Sequence, residues 1–168
     1  MAEAFDQSRL PTAKAARYAV LAEEIAAVLE GEANLTARMA TVAAMLAQTF
    51  ADFLWCGFYI VDPGKGDDLV VGPYQGTLGC LRIAFGRGVC GTAAAERRSV
   101  IVPDVEAFPG HIACDSRSRS EIVVPVTDRS GALIAVLDVD SAELTAFDET
   151  DAAGLEAIVR QVFAASPG

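Results

Sequence analysis

The chain has 168 residues, 52% of them hydrophobic, and a formal net charge of -10 at pH 7. That length predicts one domain with a substantial core, and the apolar surplus is consistent with a homo-oligomer. Because the 13 Lys and Arg residues are few and scattered, they form no basic stripe, and we expect no nucleic-acid partner.

The N-terminus has neither the basic nor the apolar region of a secretory signal, and no apolar run reaches the roughly 18–20 residues that span a bilayer. We therefore expect a cytoplasmic protein without membrane contact. Stable structural disulfides are uncommon in the cytoplasm, so a disulfide in this chain is expected to be transient and catalytic.

Residues 12–51 predict two amphipathic helices. The first ends at Gly31, and the second begins at the N-cap residue Asn34. The apolar stripes are Leu21, Ile25, Val28 and Leu29 on the first helix, and Leu35, Met39, Val42, Leu46 and Phe50 on the second. We expect both stripes to face the core.

Residues 53–140 predict a sheet with its loops. The candidate strands are 53–61, 69–74, 81–85, 100–102, 121–127 and 132–140. Turn clusters at 62–68 and Asp128–Gly131 make two hairpins, and a short helix is expected at 89–96. The irregular segment 104–120 has a length typical of a binding loop or lid.

The last element is a C-terminal helix at about 148–165, which Asp148 can cap. Its apolar face consists of Leu155, Ile158, Val159 and Val162. Hairpins indicate antiparallel pairing, and helices gathered at the chain ends indicate separate helical and strand regions. The predicted fold class is α+β.

Three carboxylates converge at one end of the last hairpin. Asp138 and Asp140 are two residues apart on one strand, so both point to the same face. The turn brings Glu121 opposite roughly Asp138, although a one-residue change of register would turn it to the other face. Because carboxylates brought close together repel one another, the pKa of at least one of the three acids should be raised. The group is a solvated strand end, an ammonium or metal site, or a proton-donating acid.

Three of the four cysteines and the only histidine lie in one stretch. Cys80, Cys90, His111 and Cys114 lack the CxxC pair of a structural zinc site, so no metal is expected. Cys90 and Cys56 fit as small buried side chains. Cys114 lies in a polar loop with nearby arginines that would favour its thiolate. Cys80 could approach it, which would supply the attacking and resolving thiols of a thiol-based reduction.

Six segments carry a resemblance to a known family. They read W-C-G-F-Y, G-P-Y-Q-G, G-R-G-V-C-G-T-A, G-H-I-A-C-D, S-E-I-V-V-P and V-L-D-V-D-S. In order and spacing, from about Phe53 to the last helix, they resemble the GAF-domain family of free methionine-R-sulfoxide reductases. The G-H-I-A-C-D and S-E-I-V-V-P segments, together with the three cysteines, make this resemblance specific.

The resemblance implies a fold and an activity. The fold is a single GAF domain over residues 1–168, with an antiparallel six-stranded sheet and flanking N- and C-terminal helices. The activity is reduction of free L-methionine-(R)-sulfoxide by a homodimer that thioredoxin recycles, with no metal or organic cofactor. A non-catalytic GAF ligand-binding or redox-sensor module is the alternative, because such a module shares the pocket without needing both thiols.

The resemblance also implies roles for the thiols. By motif position, Cys114 matches the catalytic cysteine, Cys80 the resolving cysteine, and Cys90 a third cysteine with a lesser role. Cys56 departs from the family pattern, in which a small residue without a thiol is expected after the tryptophan.

Roles for the other site residues follow from the same motifs. Glu121, Asp138 and Asp140 match the substrate-binding and acid-catalytic carboxylates. Trp55 matches a pocket aromatic that lies beside the substrate methyl group.

Overall fold

A computed structural model describes residues 5–164 of the chain. The α-helices in this range are α1 (Lys14–Val28), α2 (Leu35–Thr49), α3 (Gly88–Glu96) and α4 (Glu149–Val159). The strands are β1 (Trp55–Asp62), β2 (Lys65–Gln75), β3 (Arg82–Ala84), β4 (Val100–Val102), β5 (Ser120–Thr127) and β6 (Leu133–Ser141). A π-helical turn, Arg160–Ala164, follows α4. The predicted helix end at residue 165 lies outside the described residues.

The strands form one antiparallel sheet in the order β3-β2-β1-β6-β5-β4. Hairpins make the β1–β2 and β5–β6 pairs, and β1 and β6 join them at the centre of the sheet. The predicted α+β class with a six-stranded antiparallel sheet is confirmed.

The two faces of the sheet serve different purposes. One face packs against α1, α2 and α4 in a large apolar core that includes Cys56, Phe58 and Leu137. The other face packs against α3 and the connecting loops in a smaller cluster. Because side chains alternate along a strand, the residues next to Cys56 and Leu137 point to this second face, where the acids lie.

Side-chain caps fix the predicted helix starts. The Asn34 side chain accepts a hydrogen bond from the Ala37 amide at 3.0 Å, and Asp148 forms a capping box with Asp151. Two apolar predictions were wrong: Val28 is 45% exposed and Leu35 is 40% exposed. Each is the terminal residue of its helix, where packing on the core ends.

One buried acid joins the N- and C-terminal helices. Asp151 of α4 accepts hydrogen bonds from the Tyr18 hydroxyl at 2.9 Å and from the Lys14 ammonium at 2.7 Å. The backbone amide of Asp148 also donates to it at 2.9 Å. Gly154 lies one turn further along α4 against the Tyr18 ring, and any larger residue there would collide with the ring.

The first hairpin turn is tighter than predicted. β1 begins at Trp55, not at residue 53, and Asp62 pairs with Lys65, so only two residues remain in the turn. Asp68 was predicted to lie in the turn cluster. It belongs to β2, where Lys65 and Arg82 bind its buried carboxylate.

The last hairpin has the predicted turn, with a bulge beside it. Gly131 has a positive φ of 82°, which a glycine adopts without strain. The register between β5 and β6 shifts between Val126 and Thr127. Among residues 5–164, no helix has the length and apolar character that crossing a membrane requires.

Candidate active site

A cavity opens on the α3 side of the sheet, and five parts of the chain contribute the predicted site residues that line it. β1 contributes Trp55, while β5 and β6 contribute Glu121 and Asp138. The helix α3 contributes Cys90, and the long loop contributes Cys114. The predicted site residues therefore converge, although the elements that supply them are spread from Trp55 to Asp140, about half of the chain.

Strand register places the three acids on one face of the sheet. Asp140 lies between Trp55 of β1 and Glu121 of β5, and Asp138 lies one row further along β6, opposite Val123. The predicted pairing of Glu121 with Asp138 was wrong by two residues. A shift of two residues keeps a side chain on the same face. Glu121 and Asp138 are 6% and 5% exposed, so the strand does not end in solvent.

Burial makes the charged forms of these acids unfavourable. It is the largest cause that raises the pKa of Glu121, followed by the charge of Asp138. It likewise raises the pKa of Asp138, with the charge of Asp140 as the second cause. Burial raises the pKa of Asp140 to about 6, although a hydrogen bond from the Ser118 hydroxyl at 2.6 Å opposes the shift. The cavity floor can therefore hold a proton at neutral pH.

One oxygen on the cavity floor has no hydrogen-bond partner among the described residues. It is Oδ1 of Asp138, which is fully buried. A buried polar atom without a partner is costly to a fold, and native structures rarely keep one without a functional reason. The Asp138 side chain lines the cavity, so a donor group of a bound molecule could supply the missing bond.

Cys90 and His111 contact the acids from two sides. The Cys90 sulfur lies 4.0 Å from Glu121 Oε1, and burial raises the pKa of this thiol. His111 Nε2 lies 3.7 Å from Glu121 Oε2, and burial lowers the pKa of the imidazole. One ligand atom each of Cys90, Glu121 and Asp138 lies within 4.8 Å of the others, so these three residues could hold a metal ion. The same closeness also favours a shared proton.

A disulfide joins Cys80 to Cys114 at the mouth of the cavity, with the two Cα atoms 5.4 Å apart. Cys80 lies in the loop between β2 and β3, and Cys114 lies in the loop between β4 and β5. The predicted approach of the two thiols is thus observed. Cys90 remains a buried free thiol, as does Cys56 on the opposite face, in agreement with the prediction for both.

Polar contacts hold the same two loops together. Asp115 accepts hydrogen bonds from the Thr77 hydroxyl at 2.5 Å and from Arg117 Nη2 at 2.7 Å. The bond from Arg117 is the main reason that the pKa of Asp115 lies well below its usual value. The sequence predicted that nearby arginines favour the Cys114 thiolate. For Arg117 the structure differs, because Asp115 compensates its charge.

Two stacked aromatic rings, Trp55 and Tyr59, line the cavity, and Tyr74 stacks on Trp55. The Trp55 ring centroid lies 5.5 Å from that of Tyr59 and 5.0 Å from that of Tyr74. Trp55 Nε1 donates a hydrogen bond to the Thr77 carbonyl at 3.0 Å, which fixes the indole against the loop that carries Cys80. Stacked rings of this kind give a rigid apolar surface suited to a methyl or methylene group.

Comparison with known proteins shows the family. Residues 32–165 match the GAF domain model. The chain is 42% identical over 145 residues to the free methionine-R-sulfoxide reductase of Escherichia coli strain K12, covering 86% of each chain. It is 49% identical over 147 residues to GAF domain-containing protein A of Dictyostelium discoideum, covering 88% of this chain and 90% of that protein.

A solved structure of a free methionine-R-sulfoxide reductase is also similar to this chain. The free methionine-R-sulfoxide reductase from Neisseria meningitidis, in complex with its substrate, is 47% identical. It superposes with a TM-score of 0.86 over 90% of this chain and 89% of that chain. The chain belongs to the GAF-domain family of free methionine-R-sulfoxide reductases. The family predicted from the six sequence segments is therefore confirmed.

Tyr59, His111 and Ser118 are among the cavity residues that had no predicted role in binding or catalysis for this reductase family. Tyr59 could have been found, because it follows Trp55 by four residues, an even number that keeps both on the same strand face. His111 was considered only as a zinc ligand. Ser118 gave no signal, because its bond to Asp140 depends on the path of an irregular loop.

Proposed function

We propose that the protein reduces free L-methionine-(R)-sulfoxide to L-methionine with its own thiols. One observation carries this proposal: the Cys80–Cys114 disulfide lies at the mouth of a cavity whose floor is a cluster of buried acids. A reductase of this kind needs a thiol pair that can oxidise and an acid that keeps its proton near neutral pH. The family to which the chain belongs has this activity in its named members.

In the proposed first step, the Cys114 thiolate attacks the sulfoxide sulfur. Glu121 or Asp138 donates a proton to the sulfoxide oxygen, which becomes a better leaving group. The oxygen passes to Cys114 as a sulfenic acid, and methionine is released. The sulfoxide is thereby reduced by two electrons, and Cys114 is oxidised by two.

In the second step, the Cys80 thiol condenses with the Cys114 sulfenic acid. A disulfide forms, and the oxygen leaves as water. A thioredoxin-type dithiol then reduces the disulfide by thiol exchange. Cys90 lies against Glu121, and we assign it an auxiliary role in which it tunes the acid. The scheme requires no metal and no organic cofactor.

The acids also explain a preference for a free amino acid. Such a substrate has an α-ammonium group, which a residue within a polypeptide lacks. An ammonium donates hydrogen bonds and compensates negative charge. It therefore suits Oδ1 of Asp138, which has no hydrogen-bond partner among residues 5–164, and the nearby Asp140. The sulfoxide methyl group would then lie against Trp55. We further propose a homodimer that acts in the cytoplasm, where thioredoxin is available.

A thioredoxin-coupled assay of NADPH oxidation tests the proposal. We expect turnover of free L-methionine-(R)-sulfoxide, and little turnover of the S epimer or of a peptide that contains methionine sulfoxide. Cys114→Ser should lower turnover by at least about 1,000-fold, because the nucleophile is lost. Cys56→Ala is the matched control, since this thiol lies on the other face of the sheet, and it should retain activity.

Two results would contradict the proposal. Full turnover by Cys114→Ser would remove the assigned nucleophile. No turnover by the wild-type protein, combined with binding of the sulfoxide, would instead favour a ligand-binding module.

A further inference from the structure

Exposed apolar side chains adjoin both ends of the disulfide. Leu78 and Leu81 flank Cys80 in the sequence and are 76% and 70% exposed, and Ile112 precedes Cys114 by two residues and is 36% exposed. Leu78 and Leu81 are the two most exposed large hydrophobic residues in the described part of the chain. We call these three residues the redox patch. Grouped apolar exposure of this kind marks an interaction site.

The redox patch extends beyond the substrate cavity. Leu78 and Ile112 line the cavity, but Leu81 does not. A free amino acid inside the cavity would therefore leave Leu81 uncovered. The occupant of the patch must be larger, and it must approach from outside the cavity, where Cys114 is exposed.

The charged neighbours of the patch are compensated. Arg82 Nη1 lies 2.7 Å from Asp62 Oδ2, and Arg117 Nη2 lies 2.7 Å from Asp115 Oδ2. Although the whole chain has a net charge of -10, which would repel an acidic partner, the charges named here lie in ion pairs. At this surface the pairing leaves an apolar centre with a charge-compensated rim, which resembles the composition of a transient protein interface.

We propose that the redox patch docks a protein dithiol reductant, and the inference rests on the proposed function above. That function oxidises Cys80 and Cys114 once per turnover, so an external dithiol must reach this disulfide. One thiolate of the partner attacks a sulfur of the disulfide and forms a mixed disulfide, which releases the other cysteine as a thiolate. The second thiol of the partner then resolves the mixed disulfide. The partner leaves oxidised by two electrons, and both cysteines are thiols again.

The test compares two reductants on the oxidised protein. Purified thioredoxin, kept reduced by its reductase and NADPH, and dithiothreitol each reduce the disulfide, and alkylation with mass spectrometry follows the loss of the bond. Leu81→Ser should lower the second-order rate constant for thioredoxin about fivefold or more, because an interface side chain that matters contributes this much. The rate constant for dithiothreitol should stay within about twofold, because a small dithiol needs no docking surface.

Val28→Ser is the matched control, because Val28 is 45% exposed and lies on α1, which packs against the opposite face of the sheet. It should change neither rate constant. An unchanged thioredoxin rate in Leu81→Ser, or equal losses with both reductants, would overturn the proposal. Loss of self-association in sedimentation velocity, with unchanged reduction rates, would overturn it in favour of an interface between two copies.

This outcome is separate from that of the proposed function. Disulfide reduction is measured without sulfoxide, so the docking test can succeed even where turnover fails. Conversely, pre-reduced Leu81→Ser should convert one equivalent of free L-methionine-(R)-sulfoxide at the wild-type rate, because Leu81 lies outside the cavity.

Discussion

Asp138 and Asp151 are both buried, at 5% and 2% exposure, yet the chain treats them differently. Asp151 joins two helices, and Tyr18, Lys14 and a backbone amide all donate hydrogen bonds to it. Asp138 lines a cavity and keeps a buried oxygen without a partner in the described residues. Burial of an acid therefore does not by itself indicate a site. The informative feature is bonding capacity that the fold leaves unused.

The first prediction is that the same substitution, Asp to Asn, lowers activity at position 138 but lowers stability at position 151. Asp138→Asn should lower kcat/KM for free L-methionine-(R)-sulfoxide by about 100-fold or more, because a group that binds or protonates the substrate is lost. Its stability should stay within about 1 kcal/mol of wild type, because the substitution also removes repulsion from Glu121 and Asp140. Coupled turnover and urea unfolding measure the two quantities.

Asp151→Asn is the matched control, with the opposite expectation. It should lower the free energy of unfolding by about 1–3 kcal/mol, because it breaks a partly buried ion pair and weakens a helix cap. Turnover per folded molecule should stay within about twofold. Equal losses of stability in both variants, with turnover intact, would make Asp138 a second scaffold acid.

The second prediction concerns pH and has a smaller effect. Burial raises the folded-state pKa of Glu121, so above its unfolded value of about 4.3 the folded chain holds a proton that the unfolded chain releases. Stability must then fall as pH rises from that value towards the folded pKa. Glu121→Gln removes this slope. The melting temperature of the variant, relative to wild type, should rise by a few degrees between about pH 4.5 and 7.5.

Circular dichroism melts at four pH values in this range measure the difference. The matched control is Glu143→Gln, because Glu143 is exposed in a loop. If the melting temperatures of wild type and Glu121→Gln changed with pH in parallel, Glu121 would ionise in the folded chain as readily as in the unfolded chain.

Local signals were the part of the fold that the sequence predicted well. Asn34 and Asp148 cap helices through bonds within four residues, so their effect does not depend on distant parts of the chain. Gly131 could be assigned to a turn for the same reason. Val28 and Leu35 fitted the helical period but are exposed, because a period shows which face is apolar and not how far the core extends along the helix.

Register and loop path were harder to predict. Simple folding about the turn pairs Glu121 with Asp138. The turn instead closes between Asp128 and Ala132, and the bulge follows between Val126 and Thr127. Each of these shifts the register by one residue, so Glu121 pairs with Asp140. The composition of the strands contains no information about this shift. The long loop has no periodicity, so the contacts of Ser118 and Arg117 could not be derived from sequence. The roles of the thiols and acids came from family motifs and remain predictions.

A single-turnover measurement tests the central claim most directly. Fully reduced protein is mixed with one equivalent of free L-methionine-(R)-sulfoxide without external reductant, and mass spectrometry counts methionine and disulfides. The account predicts one methionine and one Cys80–Cys114 disulfide per chain, and neither product from the S epimer. Methionine formed while both cysteines remain reduced, or no methionine from the R epimer, would contradict it.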